Sequence, residues 1–443
     1  MTRLARPLKI GFLGNQNNYP FVLARALRRA GHDVRVVVDQ LDRLDRPEHR
    51  YADISYPYPS WIRECAPLRL ADVVYRTPVW RRTLDAVRDC DALVLNRWSY
   101  DAASRLDLPA FCLTTGADVE HWSCPSAAEA YACHVDEWTR GRDWVAGAFA
   151  PVPMNGAAMR ALPDRAPMPL HRAWHKHMFR RFARLQRAGL RRAVGVSAFP
   201  DEVSPRLAEV MRACLRPGVR RTCLLMSEST AIVPTPAPRN PVLRIFNAAR
   251  VLWKTPFPGG VGAWENKGTD ILLRGIASWH TRTGRPVDLR LVDKGPSVDA
   301  TRTLVAELGI AHLVSWQPEL TQKGVFDEYA RADVVSEQCG LHVLGMAGYE
   351  AMAAGRPVLA NGRPELFERV FGAPPPVAQA RTPGEVAIQL DRLADPRERE
   401  RLGRVGRAFV ETHLSPDAAA REVAAILTEA VLARRSIARG RAA

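Results

Sequence analysis

Lysine is scarce in this sequence. It stands only at Lys9, Lys176, Lys254, Lys267, Lys294 and Lys323, although Lys and Arg together number 63 among 443 residues. The net charge of +16 is therefore almost wholly guanidinium. Cys65, Cys90, Cys112, Cys124, Cys133, Cys214, Cys223 and Cys339 form no C-x-x-C pair, and the chain is no small scaffold that disulfides must staple. They read as reduced thiols, which points to a cytoplasmic setting. No apolar run approaches the roughly 20 residues that a membrane span needs, and Ile10 to Leu13, behind the basic start, is too short for a signal peptide. Contact with a membrane would be peripheral, at an inner surface. G-x-G-x-x-G is missing, so a nicotinamide dinucleotide site is not indicated. Lys267 lacks the glycine spacing of a P-loop, which argues against an ATPase. No nucleic-acid motif accompanies the positive charge, so an anionic substrate or membrane surface is expected and nucleic acid is not.

What is present suggests two domains, since 443 residues exceed one typical core and a 47% hydrophobic, 25% charged composition is that of a globular protein. The chain opens with an apolar strand over 8–14, a helix from Phe21 to Arg29 and the strand DVRVVVD. Gly14 and Asn15, in the turn between them, line a cleft with amide groups or simply connect. Residues 40–80, rich in Pro, Tyr and Arg, show no steady period and are expected to be irregular. Strands follow at 91–96, 108–116 and 193–199, the last taken as the final main strand of the first domain. Residues 171–192 read as a strongly basic amphipathic helix. It is either a docking face for an anionic membrane or a helix packed on the first domain with a solvated outer face. The segment TAIVPTPAPRNPV, 230–242, carries four prolines and reads as a linker, placing a boundary near 238. Beyond it strands (243–249, 288–293, 312–316) alternate with helices (269–281, 299–308, 325–331), the pattern of a parallel sheet that binds ligands at its C-terminal strand ends.

The stretch ADVVSEQCGLHVLGMAGYEAMAAGRPVLA, 332–360, closes that alternation with a strand, a Gly-bearing loop, a helix from Met346 to Ala354 and a further strand. Gly355 ends the helix and Pro357 forbids its continuation. Glu350 is the one carboxylate in a helix of small and apolar residues, where a charge needs a hydrogen-bonding partner such as ligand hydroxyls. The helix start at Gly345, Met346 and Ala347 offers unpaired N–H groups and a positive dipole end, suited to a phosphate or a sugar oxygen. An ordinary α/β crossover with a surface Glu is the competing reading.

EAMAAGRPV, Glu350 to Val358, resembles the donor-site signature of the retaining GT-B glycosyltransferases, in which a Glu, seven residues and a second Glu precede such a segment. The resemblance implies that Glu350 holds the ribose of a nucleotide sugar. The first Glu of the pattern falls on His342, whose imidazole can meet a hydroxyl or phosphate without supplying an anionic acceptor. Upstream, LRIFNAARVLWK and WENKG put Arg250 and Lys267 where that family has a diphosphate-neutralising pair. Thr114-Thr115-Gly116-Ala117-Asp118 lies where the family places a Thr-His-Gly-like turn with an acidic residue beyond it. Thr115 replaces the His, and Asp118 is a candidate contact to a reacting hydroxyl, with a helix N-cap as the alternative.

The resemblance thus implies an α/β fold of GT-B type, two Rossmann-like domains whose parallel sheets face across a cleft. The expected divisions are 1–238 for the acceptor, 239–414 for the donor, and 415–443 as a C-terminal helix returning to the first domain plus a basic tail. The implied activity is retaining transfer from a nucleoside-diphosphate sugar to a glycan, lipid or secondary-metabolite acceptor, with no metal and no cofactor beyond that co-substrate. Catalytic roles fall to Asp118, Arg250 and Lys267, and donor contacts to Arg250, Lys267, His342, Gly345, Met346, Ala347 and Glu350. The competing function is a degenerate GT-B protein that binds a nucleotide or partner without transfer.

Overall fold

The computed structural model describes residues 7–40, 45–120, 123–124, 168–228, 232–247, 249–254, 266–341 and 343–442. The chain divides into two compact units, 1–226 with 416–443, and 227–415.

The first unit is built on a seven-stranded parallel sheet. Its strands are β1 (Lys9–Leu13), β2 (Asp33–Val38), β3 (Ile62–Glu64), β4 (Ala92–Leu95), β5 (Ala110–Leu113), β6 (Gly195–Ser197) and β7 (Arg220–Thr222), in the order β3-β2-β1-β4-β5-β6-β7. Central strands buried on both faces need continuous apolar runs. Ile10, Phe12, Leu13, Leu93, Leu95, Phe111 and Leu113 supply them, each at most 1% exposed. Two departures from expectation lie at the sheet edges. Residues 40–80 hold β3 and the helices Leu70–Tyr75 and Pro78–Asp85, because β3 is fixed by long-range pairing, Val36 with Ile62, rather than by any pattern of its own. The strand at 195–197 is followed by β7, a short polar RRT whose residues are largely exposed and carry no apolar signal. The C-terminal helix Pro416–Ala442 groups with this unit, Arg29 pairing with Asp417 and Arg435 with Asp91. The basic helix spans Met168–Leu190 and buries Met178, Phe179 and Phe182. No helix among the described residues is long and apolar enough to cross a membrane.

The second unit carries β8 (Leu243–Asn247), β9 (Val287–Val292), β10 (Val314–Gln317), β11 (Val334–Ser336), β12 (Val358–Ala360) and β13 (Ala378–Gln379), all parallel, in the order β10-β9-β8-β11-β12-β13. Helices Thr269–Thr283 and Pro383–Leu393 bury Leu272, Leu273, Ile276, Val386 and Leu390 in one cluster with strand residues Ile245, Leu289 and Leu291. The linker belongs with this unit. Arg356, 2% exposed, donates to the carbonyls of Pro236 (2.9 Å) and Thr235 (3.1 Å) as well as to Tyr329 (2.7 Å) and Ala330 (3.3 Å).

In each sheet the strand order reverses once, between β1 and β4 in the first and between β8 and β11 in the second. Open α/β sheets bind ligands at the C-terminal strand ends beside such a reversal. The loops after β1, β4, β8 and β11 are therefore the places to look.

Candidate functional site

In the second unit, Arg250 stands three residues beyond β8, half-buried, in a turn fixed from both sides. Val251 N–H donates to Lys294 O (2.8 Å) and Val251 O accepts from Ser297 N–H (3.2 Å). The Ser297 hydroxyl holds the next residues, accepting from Trp253 and Lys254 N–H at 3.2 and 3.1 Å. Leu252 O then takes the N–H of Lys267 at 2.7 Å, which sets the loops of Arg250 and Lys267 side by side. Lys267 is joined in turn to the loop after β11. Its carbonyl accepts from Cys339 N–H (2.9 Å) and Gly340 N–H (3.3 Å), and its ammonium donates to Gln338 Oε1 at 2.6 Å. Gln338 is neutral, so this contact positions the ammonium without cancelling its charge.

The same loop leads into the helix Met346–Ala353, with Gly345 as its N-cap. The N–H groups of Met346 and Ala347 have no hydrogen-bond partner among the described residues, as the first turn of a helix requires. Gly345 N–H donates to the carboxylate of Glu337 at 3.0 Å. One turn further on, Glu350 is only 5% exposed and accepts from Gln322 Nε2 at 3.2 Å. It is a buried carboxylate rather than a surface one. Gly355, at φ 74°, and the bond from Arg356 N–H to Ala351 O (2.9 Å) close the helix in a left-handed cap. His342 and residues 255–265 lie outside the described residues.

Residue-type reasoning passed over Glu337, Gln338 and Arg356. The first two had a detectable signal, being polar residues placed immediately after an apolar strand at the ligand-binding end of a parallel sheet. Arg356 sits inside the recognised signature, but its role depends on carbonyls from 120 residues away, which no local pattern reveals.

In the first unit the loops after β1, β2, β4 and β5 form one polar cluster. Gly14 (φ 81°) presses against β4's extension, where a Cβ would stand 2.2 Å from Asn96 O. Asn15 is 0% exposed, and its amide is spent inside, donating to Asn18 Oδ1 and Asp45 O (both 2.7 Å) and accepting from Phe21 N–H (3.1 Å). Asp118 is also 0% exposed. Its carboxylate accepts from Thr115 N–H (2.9 Å), Asn96 Nδ2 (3.3 Å), Arg97 N–H (3.4 Å) and the Tyr100 hydroxyl. Burial still raises its pKa above the ordinary carboxylate range, against the pull of these donors. A direct contact to a substrate hydroxyl requires Asp118 to give up one of these bonds. Nearby, Arg97 ion-pairs with Asp45 and lies 4.5 Å over the Trp98 ring. Asp39, which follows β2, is 2% exposed, and its Oδ2 has no hydrogen-bond partner among the described residues. Burial lifts its pKa to about 7, Arg97 opposing and Asp45 adding to the shift.

The carboxylates of Asp89 and Asp91 are engaged by cations: Asp89 by Lys9 and Arg35, Asp91 by Arg435.

No family model matches the chain. It is 32% identical to an MMP alpha-(1->4)-mannosyltransferase of Mycolicibacterium hassiacum over 169 residues, 37% of this chain and 40% of that protein. It is 31% identical to a GDP-mannose-dependent alpha-(1-6)-phosphatidylinositol monomannoside mannosyltransferase of Mycolicibacterium smegmatis over 157 residues, 32% of this chain and 39% of that one. The matches thus span about two fifths of the curated relatives' length. Among solved structures, sucrose-phosphate synthase from Thermosynechococcus elongatus is similar at TM-score 0.57 and 15% identity, over 96% of this chain and 100% of that one. Anabaena Alr3699/HepE in complex with UDP-glucose is similar at TM-score 0.59 and 13% identity, over 95% and 100%. Likeness at such identities speaks for fold alone. With two parallel-sheet, Rossmann-like units of seven and six strands and these neighbours along nearly its whole length, the chain has the GT-B glycosyltransferase fold.

Proposed function

We propose that this protein is a retaining glycosyltransferase that takes a sugar from a nucleoside-diphosphate sugar bound by the second unit. The observation that carries the reading is the loop set at the β8/β11 reversal. There Lys267, held by neutral Gln338, is tied to the loop that ends in the N–H groups of Met346 and Ala347, both without a partner among the described residues, with buried Glu350 one turn beyond. A cation and a helix N-terminus suit a diphosphate, and a buried carboxylate suits a hydroxyl pair. The two partial matches to mannosyltransferases support the same reading and make GDP-mannose the first donor to try.

In the proposed reaction the bond from the anomeric carbon to the diphosphate oxygen breaks, and a bond to the acceptor oxygen forms on the same face of the sugar. The acceptor's proton passes to the departing diphosphate. Arg250, Lys267 and the helix N-terminus stabilise the negative charge that develops there, a contribution of roughly 10²–10³ in rate for each well-placed donor. No resident metal is assigned a part. The acceptor is a glycan, lipid or secondary metabolite held by the first unit.

The test is release of nucleoside diphosphate from a panel of sugar nucleotides led by GDP-mannose, with and without acceptor pools, followed by NMR of the product's anomeric configuration. Acceptor-dependent release with retained configuration is expected. Binding without any release would replace transfer by a binding role, and an inverted product would remove the same-face route.

A further inference from the structure

Glu337 follows β11 directly and is 4% exposed, with its own N–H spent on Leu359 O at 3.1 Å. The backbone is thus fixed before the side chain leaves the sheet. One carboxylate oxygen, Oε2, accepts from Gly345 N–H (3.0 Å) and Gln338 N–H (3.1 Å). The other, Oε1, accepts from none of the described residues, and it lies so near Gly345 that a Cβ there would stand 2.8 Å away. A side chain at Gly345 would push the carboxylate from this position. Beside it, Gln338 is 0% exposed, and its Nε2 donor has no partner among the described residues. One loop therefore presents an unfilled acceptor and an unfilled donor next to the two N–H groups of Met346 and Ala347.

Charge decides what such a loop can take. A diphosphate at the helix N-terminus repels an adjacent carboxylate, so among the groups a sugar nucleotide carries the one that meets Glu337 is a neutral donor attached to the diphosphate. The hydroxyls of the transferred sugar are such donors, and a carboxylate is an acceptor with capacity left after two bonds. We propose that Glu337 is the residue that reads the donor sugar, its Oε1 accepting a sugar hydroxyl while Gln338 Nε2 donates to the same ring. The anionic acceptor missing at His342 then comes from five residues earlier, off the end of β11. This inference rests on the donor-site reading given above.

The experiment is calorimetry on the full chain with the sugar nucleotide that binds best and with its free nucleoside diphosphate, for wild type, Glu337→Gln and Glu337→Asp. Glu337→Gln keeps an oxygen for Gly345 N–H and loses the charge; Glu337→Asp keeps the charge and withdraws it by one methylene. Either variant should leave the free nucleotide within about threefold of wild type and weaken the sugar nucleotide about tenfold or more. Donor analogues lacking single hydroxyls identify the contact, because one of them should bind wild type and Glu337→Gln alike. Equal weakening of both ligands would reduce Glu337 to a support for the helix start, and unchanged affinity for both would remove it from the site; either result overturns the proposal. If wild type binds neither ligand, the donor-site reading itself fails, an outcome visible before any variant is made.

Discussion

Replacing Asp39 by Asn should stabilise the protein at alkaline pH and leave it nearly unchanged in acid. Asp39 is 2% exposed, one of its oxygens has no partner among the described residues, and burial raises its pKa from 3.8 to about 7. Between those values the folded chain holds a proton that the unfolded chain has released. Stability from this group is fully present below pH 3.8, declines as pH rises towards about 7, and is lost above it. The interval is about three units, so at about 1.4 kcal/mol per unit the cost at pH 8 is on the order of 4 kcal/mol. That is an upper value, since the Arg97 and Gln40 side chains and entering water can relax around the charge. Asn mimics the protonated acid at every pH and so removes this pH dependence. The assay is urea unfolding of wild type and Asp39→Asn at pH 4.5, 6 and 8, taking the difference so that other titrating groups cancel. The difference should grow with pH in favour of Asn. A constant difference would show that Asp39 does not titrate in this window and would refute the reasoning.

Lys267→Met should lower kcat roughly 10²-fold and weaken nucleoside-diphosphate binding, and by leaving the buried Gln338 Oε1 without its donor it should also cost about 1–3 kcal/mol of stability; unaltered steady-state kinetics would remove Lys267 from the site. Arg356→Ala leaves the carbonyls of Tyr329, Thr235, Pro236 and Ala330 without their buried donor, and urea unfolding of the second unit should report a loss of about 3 kcal/mol. Asp118→Asn turns an amide N–H₂ towards donors that now meet carboxylate oxygens, and should cost about 1–3 kcal/mol of stability. Activity lost with stability intact would instead make Asp118 a direct contact to the substrate.

What was legible in the sequence followed local pattern. Long apolar strands such as β1 and β8 and the regular alternation of the second unit gave that sheet, and the resemblance of Glu350 to Val358 gave the fold type that the solved structures bear out. Boundaries slipped where a cap decided them. The helix expected at 325–331 begins at Gln322 because the Thr321 hydroxyl caps Gly324 N–H. β3 and β7 were hidden, since their strand character comes from a neighbour's unpaired edge and not from their own residues. The candidate site was half legible. Side-chain type pointed to Glu350 and Lys267, but that Glu337 turns forward to the helix start eight residues on depends on how its own loop folds, and that Asn15 and Asp118 spend their polar groups inside depends on contacts with other loops, Asn15 with Asp45 and Asp118 with Asn96 and Arg97.

The helix Met346–Ala353 and its preceding loop are proposed to hold the nucleotide sugar. Calorimetric titration of wild type and Glu350→Ala with GDP-mannose and a panel of other nucleotide sugars tests it most directly. One donor should bind, and Glu350→Ala should weaken it at least tenfold, about 1.4 kcal/mol. Equal affinity for the two proteins, or no binding to folded wild type, would contradict it.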